Sequence, residues 1–254
     1  MNVLGIQEGM LEKLRKTTLA DIVTNNIRSA IIFEELRLDF CCKGRRTLEE
    51  ACAGKKLDVK KVVDELVNLA NCERDDQKVN TMELNSLIDH IVDNHHQYVR
   101  RITPVISAHS DKVVSVHGEN HPETVQIADL FLAVRDELES HMMKEERILF
   151  PYIKQMVHAR EKSEQCYPTH FGTIGNPISI MELEHVSAGE SFDKIRELSG
   201  NYSVSGKACN TFKALYSELK EFEEDLHRHI HLENNILFPR SIELEHKLLQ
   251  KGFV

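Results

Sequence analysis

HMMKEERILFP at residues 141–151 and HIHLENNILFP at residues 229–239 repeat one pattern, from which the architecture of the chain can be predicted. Both stretches follow His-x-x-x-Glu-x-x-Ile-Leu-Phe-Pro, and their histidines lie 88 residues apart. Two further histidines keep nearly the same spacing, since His96 precedes His141 by 45 residues and His185 precedes His229 by 44. The spacing predicts a duplicated helical hairpin, in which each copy contributes one histidine and then a His-x-x-x-Glu pair.

Long amphipathic stretches surround these pairs. Apolar residues recur every three or four positions, which predicts helices that each bury one face, at residues 84–108, 123–156, 177–198 and 206–249. No region alternates β-branched residues as a strand would. The sequence therefore predicts an all-α fold, with an antiparallel four-helix bundle at residues 81–254. A small helical N-terminal domain is predicted at residues 1–75, and the polar stretch 71–80 reads as a linker.

Composition limits the classes of function. The chain has 254 residues, with 32 Lys and Arg against 41 Asp and Glu and a formal net charge of −9. Nucleic-acid binding generally requires a basic surface, so we expect no nucleic-acid partner. No apolar window approaches the roughly 18 residues of a membrane span, and the first residues lack a signal-peptide layout, so we expect a cytoplasmic protein. The six cysteines include no CxxC pair, which argues against a disulfide scaffold or a structural zinc site.

Ionisable residues interrupt the predicted apolar faces at His96, His141, Glu145, His185, His229 and Glu233. Burying one polar group without a partner costs about 2–7 kcal/mol, so a cluster of them requires compensation by a metal centre. Residues i and i+4 share a helix face, so each His-x-x-x-Glu offers an imidazole and a carboxylate to the same centre. Carboxylates can bridge two ions, and imidazole suits iron, zinc, copper or nickel. The doubled set therefore predicts a pair of metal ions with open coordination positions.

The sequence does not settle which histidine of the first helix is a ligand. His90, His95 and His96 are all available, and the helical face together with the spacing of the repeat favours His96. His95 differs by one residue and lies about 100° around the helix from it. Glu137 and Glu184 lie close in sequence to predicted ligands, where they either orient an imidazole or are solvated helix charges.

The motifs together resemble the repair of iron centres family of di-iron proteins. The resemblance covers nearly the whole chain and rests on DFCCKG (39–44), HGENHPE (117–123), HMMKEERILFP (141–151), MELEH (181–185) and HLENNILFP (231–239). It implies a hemerythrin-like bundle that holds two iron ions joined by an oxo or hydroxo bridge. Matched by motif, the iron ligands are His96, His141, Glu145, His185, His229 and Glu233, with the two glutamates as bridges.

The resemblance also implies a stress-response function. Members of the family are associated with the bacterial cytoplasm and with the repair of iron–sulfur clusters damaged by nitric oxide or peroxide. Iron–sulfur proteins would then be the clients, and nitric oxide a small-molecule partner. The centre could act by donating iron or by processing nitric oxide. If the protein is an enzyme, the resemblance implies nitric oxide or peroxide reductase activity. The sequence leaves a monomer and a homodimer equally open.

The family's N-terminal cysteine pair corresponds to Cys41 and Cys42. Lys43, Arg45 and Arg46 follow it, and neighbouring positive charge favours the thiolate form of a cysteine. The pair is therefore predicted to be a thiol relay for iron or electrons, with two ordinary thiols in a turn as the alternative.

Oxygen or nitric oxide binding, as in hemerythrins, is the alternative function. Oxygen carriers of that fold use five histidines, including an extra His-x-x-x-His pair. Position 189, four residues after His185, is a glycine and cannot complete such a pair. The resemblance therefore favours cluster repair.

Overall fold

The protein is described by a computed structural model that covers residues 11–70, 78–164, 170–204, 206 and 208–251. Its regular structure within these residues is helical, with no β-strand among them, so the predicted all-α class is confirmed. The linker predicted at residues 71–80 falls mostly on residues 71–77, which lie outside the described ones. None of the described helices combines the length and the apolar composition needed to cross a membrane.

The first of two compact units comprises Met1–Glu83 together with Ile230–Pro239. After a helical stretch at residues 11–16 its helices are α1 (Leu19–Asn25), α2 (Ser29–Glu35), α3 (Leu48–Lys55), α4 (Val59–Ala70) and α5 (Lys78–Thr81). Thr18 caps α1 by accepting the backbone N–H of Asp21 at 3.0 Å, and Thr47 forms a capping box with Glu50 at the start of α3. The starts of α1 and α3 lie side by side, because the N–H of Leu19 donates a hydrogen bond to the carbonyl oxygen of Arg46 at 3.0 Å.

The second unit comprises Leu84–His229 together with Arg240–Val254. Its helices are α6 (Leu84–Ile91), α7 (Gln97–His117), α8 (Glu123–Lys144), α9 (Phe150–Lys162), α10 (Gly175–Leu198), α11 (Asn210–Leu232) and α12 (Phe238–Lys251). Short π-helical turns join α6 to α7, α8 to α9 and α11 to α12, at Val92–His96, Glu145–Leu149 and Glu233–Leu237. The result is four long helical runs, and the last of them contributes residues to both units.

The first run is longer than the sequence predicts. Its end is predicted at residue 108, whereas α7 continues to His117 and contains Pro104. A proline inside a helix costs about 3 kcal/mol. Ile106 and Val113 are completely buried beyond it, and burial of each contributes about 1.5–3 kcal/mol. These two side chains continue the apolar face and offset the cost of the proline.

Aromatic side chains pack against one another in the middle of the second unit. Phe222 of α11 lies with its ring centroid 5.6 Å from that of Phe131 in α8 and 5.5 Å from that of Phe192 in α10. All three rings are essentially without solvent exposure. Phenylalanine pairs at this separation contribute about 0.5–1.5 kcal/mol beyond the burial of their area. Three helical runs are thereby held against one another, which sets the spacing of the residues farther along them.

Candidate metal centre

Six buried side chains gather into two groups of potential metal ligands. One group is His96, Glu145, His229 and Glu233, and the other is His141, Glu145, His185 and Glu233. Within each group one donor atom from every residue lies within 4.8 Å of the others. Glu145 and Glu233 belong to both groups, as bridging carboxylates would. The structure thus brings together all six residues that the sequence analysis named as ligands.

The donor atoms have the separations of ligands around a common ion. Nε2 of His96 and Nε2 of His141 each lie 3.4 Å from Oε2 of Glu145. Nε2 of His185 lies 3.0 Å from Nε2 of His141. Two donors bonded at about 2.1 Å and at right angles around one ion are about 3 Å apart. The pattern of donors therefore fits metal ions, and imidazole together with carboxylate suits iron.

The burial of the carboxylates also favours bound cations. Glu145 and Glu233 have no solvent exposure, and their four histidine neighbours are at most 1% exposed. Carboxylates removed from water cost several kcal/mol unless positive charge compensates them. A cation held by these groups would supply that charge.

The sequence of the repeat explains the local backbone at the two glutamates. The helix widens into a π turn that begins at Glu145 and at Glu233, and the N–H of Phe150 or Phe238 donates to the carbonyl of the glutamate five residues earlier. The proline after each phenylalanine has no N–H, and in a regular α-helix its ring would collide with the carbonyl four residues before it. The wider turn relieves this collision, and turns of this kind are frequent at functional sites.

His96 is held in orientation by a residue of another helical run. Its Nδ1 lies 2.6 Å from Oε1 of Glu146, and Arg100 donates to the same oxygen at 2.8 Å. Burial opposes ionisation of Glu146, but the hydrogen bonds from His96 and Arg100 outweigh it and lower the pKa of this carboxyl. An ionised Glu146 accepts the Nδ1 proton and leaves Nε2 to face the centre. No sequence pattern predicts this role of Glu146, because the contact joins residues 50 positions apart.

Glu184 holds His141 in the same way. Its Oε2 lies 2.8 Å from Nδ1 of His141, and Lys144 pairs with its other oxygen. Burial opposes ionisation here too, but Lys144 and His141 lower the pKa of the Glu184 carboxyl. Glu137 differs, since it is exposed and accepts the hydroxyl of Ser187 at 3.4 Å. Of the two glutamates considered from the sequence, Glu184 is therefore the one that contacts a candidate ligand.

Replacing Glu146 by alanine is expected to weaken iron binding by about 10- to 100-fold, because His96 loses the bond that orients its ring. Competition with a chromogenic ferrous chelator measures this affinity. Glu139→Ala, at an exposed position of α8, is the matched control and should leave the affinity unchanged. Equal affinities for wild type and Glu146→Ala would show that Glu146 does not orient the ligand.

His95 lies beside the centre but has a different partner. Its Nδ1 is 3.1 Å from both carboxylate oxygens of Asp225, and its ring stacks on His229 with centroids 5.4 Å apart and planes 6° apart. His90 is less buried, and its Nδ1 lies 3.1 Å from the amide nitrogen of Asn94. The structure thus places His96, rather than His90 or His95, in the ligand groups.

The cysteine pair lies in a tight turn of the first unit. Cys41 is buried and Cys42 half-buried, with their sulfur atoms 3.8 Å apart. The hydrogen bond to Cys42, burial, and the nearby negative charge of Asp39 together raise the pKa of the Cys41 thiol. These local effects oppose the thiolate form that the basic residues after Cys41 favour. The thiol relay predicted for the pair stays a prediction.

Two family models match this chain. The model of the hemerythrin HHE cation binding domain matches residues 87–241, and the model of a domain of unknown function, DUF542 or ScdA_N, matches residues 15–70. The hemerythrin-like form of the predicted bundle is thereby confirmed, and this domain implies iron binding.

Three curated relatives, each named iron-sulfur cluster repair protein YtfE, match about nine tenths of this chain. The relative from Enterobacter sp. (strain 638) is 36% identical over 228 residues, which cover 90% of this chain and 97% of the relative. The relative from Dickeya chrysanthemi (strain Ech1591) is 34% identical over 231 residues, covering 91% of this chain and 99% of the relative. The relative from Citrobacter koseri is 36% identical over 228 residues, with 90% and 97% covered.

Proposed function

Since the chain belongs to the iron-sulfur cluster repair family with a hemerythrin HHE cation binding domain, we propose that it is a non-haem di-iron protein that repairs iron–sulfur clusters damaged by nitrosative or oxidative stress. We further propose that it works in the cytoplasm with iron–sulfur proteins as its clients. The observation that carries the proposal is the sharing of Glu145 and Glu233 between two ligand groups.

The ligand set supports a pair of irons with open positions. Four imidazoles and two carboxylates would hold the irons, and two octahedral ions would keep further positions for an oxo or hydroxo bridge and for other ligands. When bound, the irons would supply open positions at which a small molecule such as nitric oxide can bind, and iron released from this set would be available to a client.

The chain's own residues orient the ligands and keep water away. Glu146 and Glu184 hold Nδ1 of His96 and of His141, so that Nε2 of each ring faces the centre. The ring of His96 also stacks on Phe150, with centroids 5.8 Å apart and planes 18° apart. Ligand rings that are already oriented by these contacts lose little conformational freedom when iron binds. The apolar side chain of Phe150 limits solvent access to the ions.

A cluster-recovery assay tests the proposed function. Iron-loaded protein is incubated anaerobically with an iron–sulfur dehydratase whose cluster has been damaged by nitric oxide or peroxide. Recovery of dehydratase activity is expected to be faster than with the same amount of free ferrous iron. Glu233→Gln should give no advantage over free iron, because one shared carboxylate is lost. Recovery no faster with wild type than with free iron would rule out repair by this protein.

The same preparation separates iron donation from nitric oxide reduction. If the protein donates iron, its iron content falls as the client recovers, and the reduced protein makes no nitrous oxide. If it reduces nitric oxide, nitrous oxide forms above the level of free iron while the iron content of the protein stays constant. Gas chromatography and iron analysis on the same samples distinguish the two.

A further inference from the structure

The turn DFCCKG at residues 39–44 gathers a second set of metal-binding atoms, outside the six-residue centre. One donor atom each from Asp39, Cys41 and Cys42 lies within 4.8 Å of the other two. All three residues belong to the first unit, and nothing in the proposed mechanism at the bundle uses them.

The separations of these atoms match the corners of a tetrahedron around one ion. The two sulfur atoms are 3.8 Å apart, and Sγ of Cys41 lies 3.4 Å from Oδ1 of Asp39. Thiolates bonded at about 2.3 Å in tetrahedral geometry are about 3.8 Å apart. A thiolate and a carboxylate oxygen bonded at about 2.0 Å are about 3.5 Å apart. The free turn therefore already has the spacing that a metal-bound turn needs.

Backbone hydrogen bonds hold the carboxylate in place. The N–H groups of Cys41, Cys42 and Lys43 all donate to Oδ1 of Asp39, at 3.2, 2.9 and 3.2 Å. The close packing of the turn also requires a glycine at position 44, because a Cβ there would lie 2.2 Å from the carbonyl oxygen of Phe40. The carboxylate of Asp39 is thus held in place by the backbone of the turn.

A helical segment of the same unit supports the turn from the other side. Nδ2 of Asn235 donates to the carbonyl oxygens of Phe40 and Cys41, at 3.3 Å each. The buried ring of His231 lies with its centroid 5.8 Å from that of Phe40, and its Nδ1 is 3.1 Å from Nδ2 of Asn235. Packing on this side fixes the turn and helps keep Cys41 out of solvent.

We propose that Asp39, Cys41 and Cys42 form a mononuclear site for a divalent transition-metal ion that prefers sulfur, such as Fe²⁺ or Zn²⁺. The ion is tetrahedral, with two thiolates, one carboxylate oxygen and a fourth position open to solvent or an incoming ligand. Sulfur-rich tetrahedral sets favour these ions over Mg²⁺ and Ca²⁺. The site is separate from the di-iron centre, and its existence does not depend on the proposed function.

The hydrogen-bonded state of the thiols is compatible with this site. Without a metal, the single thiol proton of Cys41 can be donated either to Oδ1 of Asp39 or to the sulfur of Cys42. A coordinating thiol loses its proton to the solvent, and the ion then takes the place of that hydrogen bond. Three anionic ligands on a divalent ion leave one net negative charge. The basic residues Lys43, Arg45 and Arg46, exposed on the same turn, offset that charge.

Cobalt(II) binding tests the proposal with a spectroscopic readout. Full-length protein is loaded with iron, kept reduced with a phosphine, and titrated anaerobically with Co²⁺. Wild type is expected to bind one further equivalent, with a sulfur-to-cobalt charge-transfer band in the near ultraviolet and the intense visible bands of tetrahedral cobalt. Cobalt bound by His and Glu alone gives no sulfur-to-cobalt band. The band therefore reports on the cysteine site only, and its presence or absence does not depend on whether the di-iron proposal is correct.

Single substitutions assign the band to its ligands. Cys42→Ser, at a half-buried position that should tolerate the change, and Cys41→Ser are each expected to weaken Co²⁺ binding at least tenfold and to diminish the band. Asp39→Asn should keep the band but weaken binding. Cys52→Ser and Cys209→Ser are the matched controls, since both remove a free thiol elsewhere in the chain. Absence of the band in wild type, or its full retention in both Cys41→Ser and Cys42→Ser, would overturn the site.

Discussion

Glu145→Gln is expected to reduce the iron content from about two ions per chain to fewer than one. Glu145 belongs to both ligand groups, and its Oε2 lies 3.4 Å from Nε2 of His96 and from Nε2 of His141. A neutral amide of the same shape keeps the packing but removes the negative charge and the ability to bridge two cations. Iron analysis and the charge-transfer absorption of oxo-bridged iron measure the loss.

Thermal unfolding provides a second readout of the same change. A ligand that binds only the folded state at 1,000 times its dissociation constant stabilises that state by about 4 kcal/mol. Iron should therefore raise the melting temperature of wild type and leave that of Glu145→Gln nearly unchanged. Glu139→Gln, on an exposed face of α8, is the control and should behave as wild type. A Glu145→Gln protein that retains two irons would refute the shared-ligand model.

Replacing either of two adjacent histidines, His95 or His96, by alanine is expected to have opposite effects on the iron content. His96→Ala should lose the iron of its own group, because Nε2 of His96 points to Glu145. His95→Ala should retain both irons, because His95 pairs with Asp225 and only stacks on His229. Iron content per chain and the spectrum of each variant decide between them.

Each of these variants controls for the other, since both remove a buried imidazole from the same π-helical turn. His95→Ala is expected to lower the stability through the lost bond to Asp225, by about 1 kcal/mol, without loss of iron. If His95→Ala loses iron and His96→Ala does not, the ligand of the first helix is His95 and the spacing argument is wrong.

The repeat made the site predictable. His141 with Glu145, and His229 with Glu233, interrupt apolar faces at the same positions of two copies, and a charged group on a buried face needs a compensating partner. The helical period then extended the prediction to His185 and His96, and all six residues fall into the two ligand groups. The end of α7 was predicted too early, because the polar residues after residue 108 hide the continuing burial of Ser110 and Val113.

Two features of the structure have no signal in the sequence. One is a contact between distant residues, in which Glu146 orients His96 across 50 positions. The other is the conformation of a short turn, in which Asp39 with its three backbone hydrogen bonds sets the geometry around Cys41 and Cys42. Neither follows a period of the helix, so neither leaves a pattern in the chain. Hydrogen bonding and burial raise the pKa of the Cys41 thiol, which opposes the effect of the basic residues near it.

The all-α class, the doubled hairpin and five of the six clustered residues follow from the sequence alone, because helical periodicity and the cost of burying charge are local properties of the chain. The packing of the helices was needed to show which histidine of the His95–His96 pair faces Glu145 and which glutamates hold the ligand rings, since these contacts join segments far apart in the chain. The close approach of two thiols and a carboxylate depends instead on the backbone conformation of one short turn, which helical periodicity does not predict.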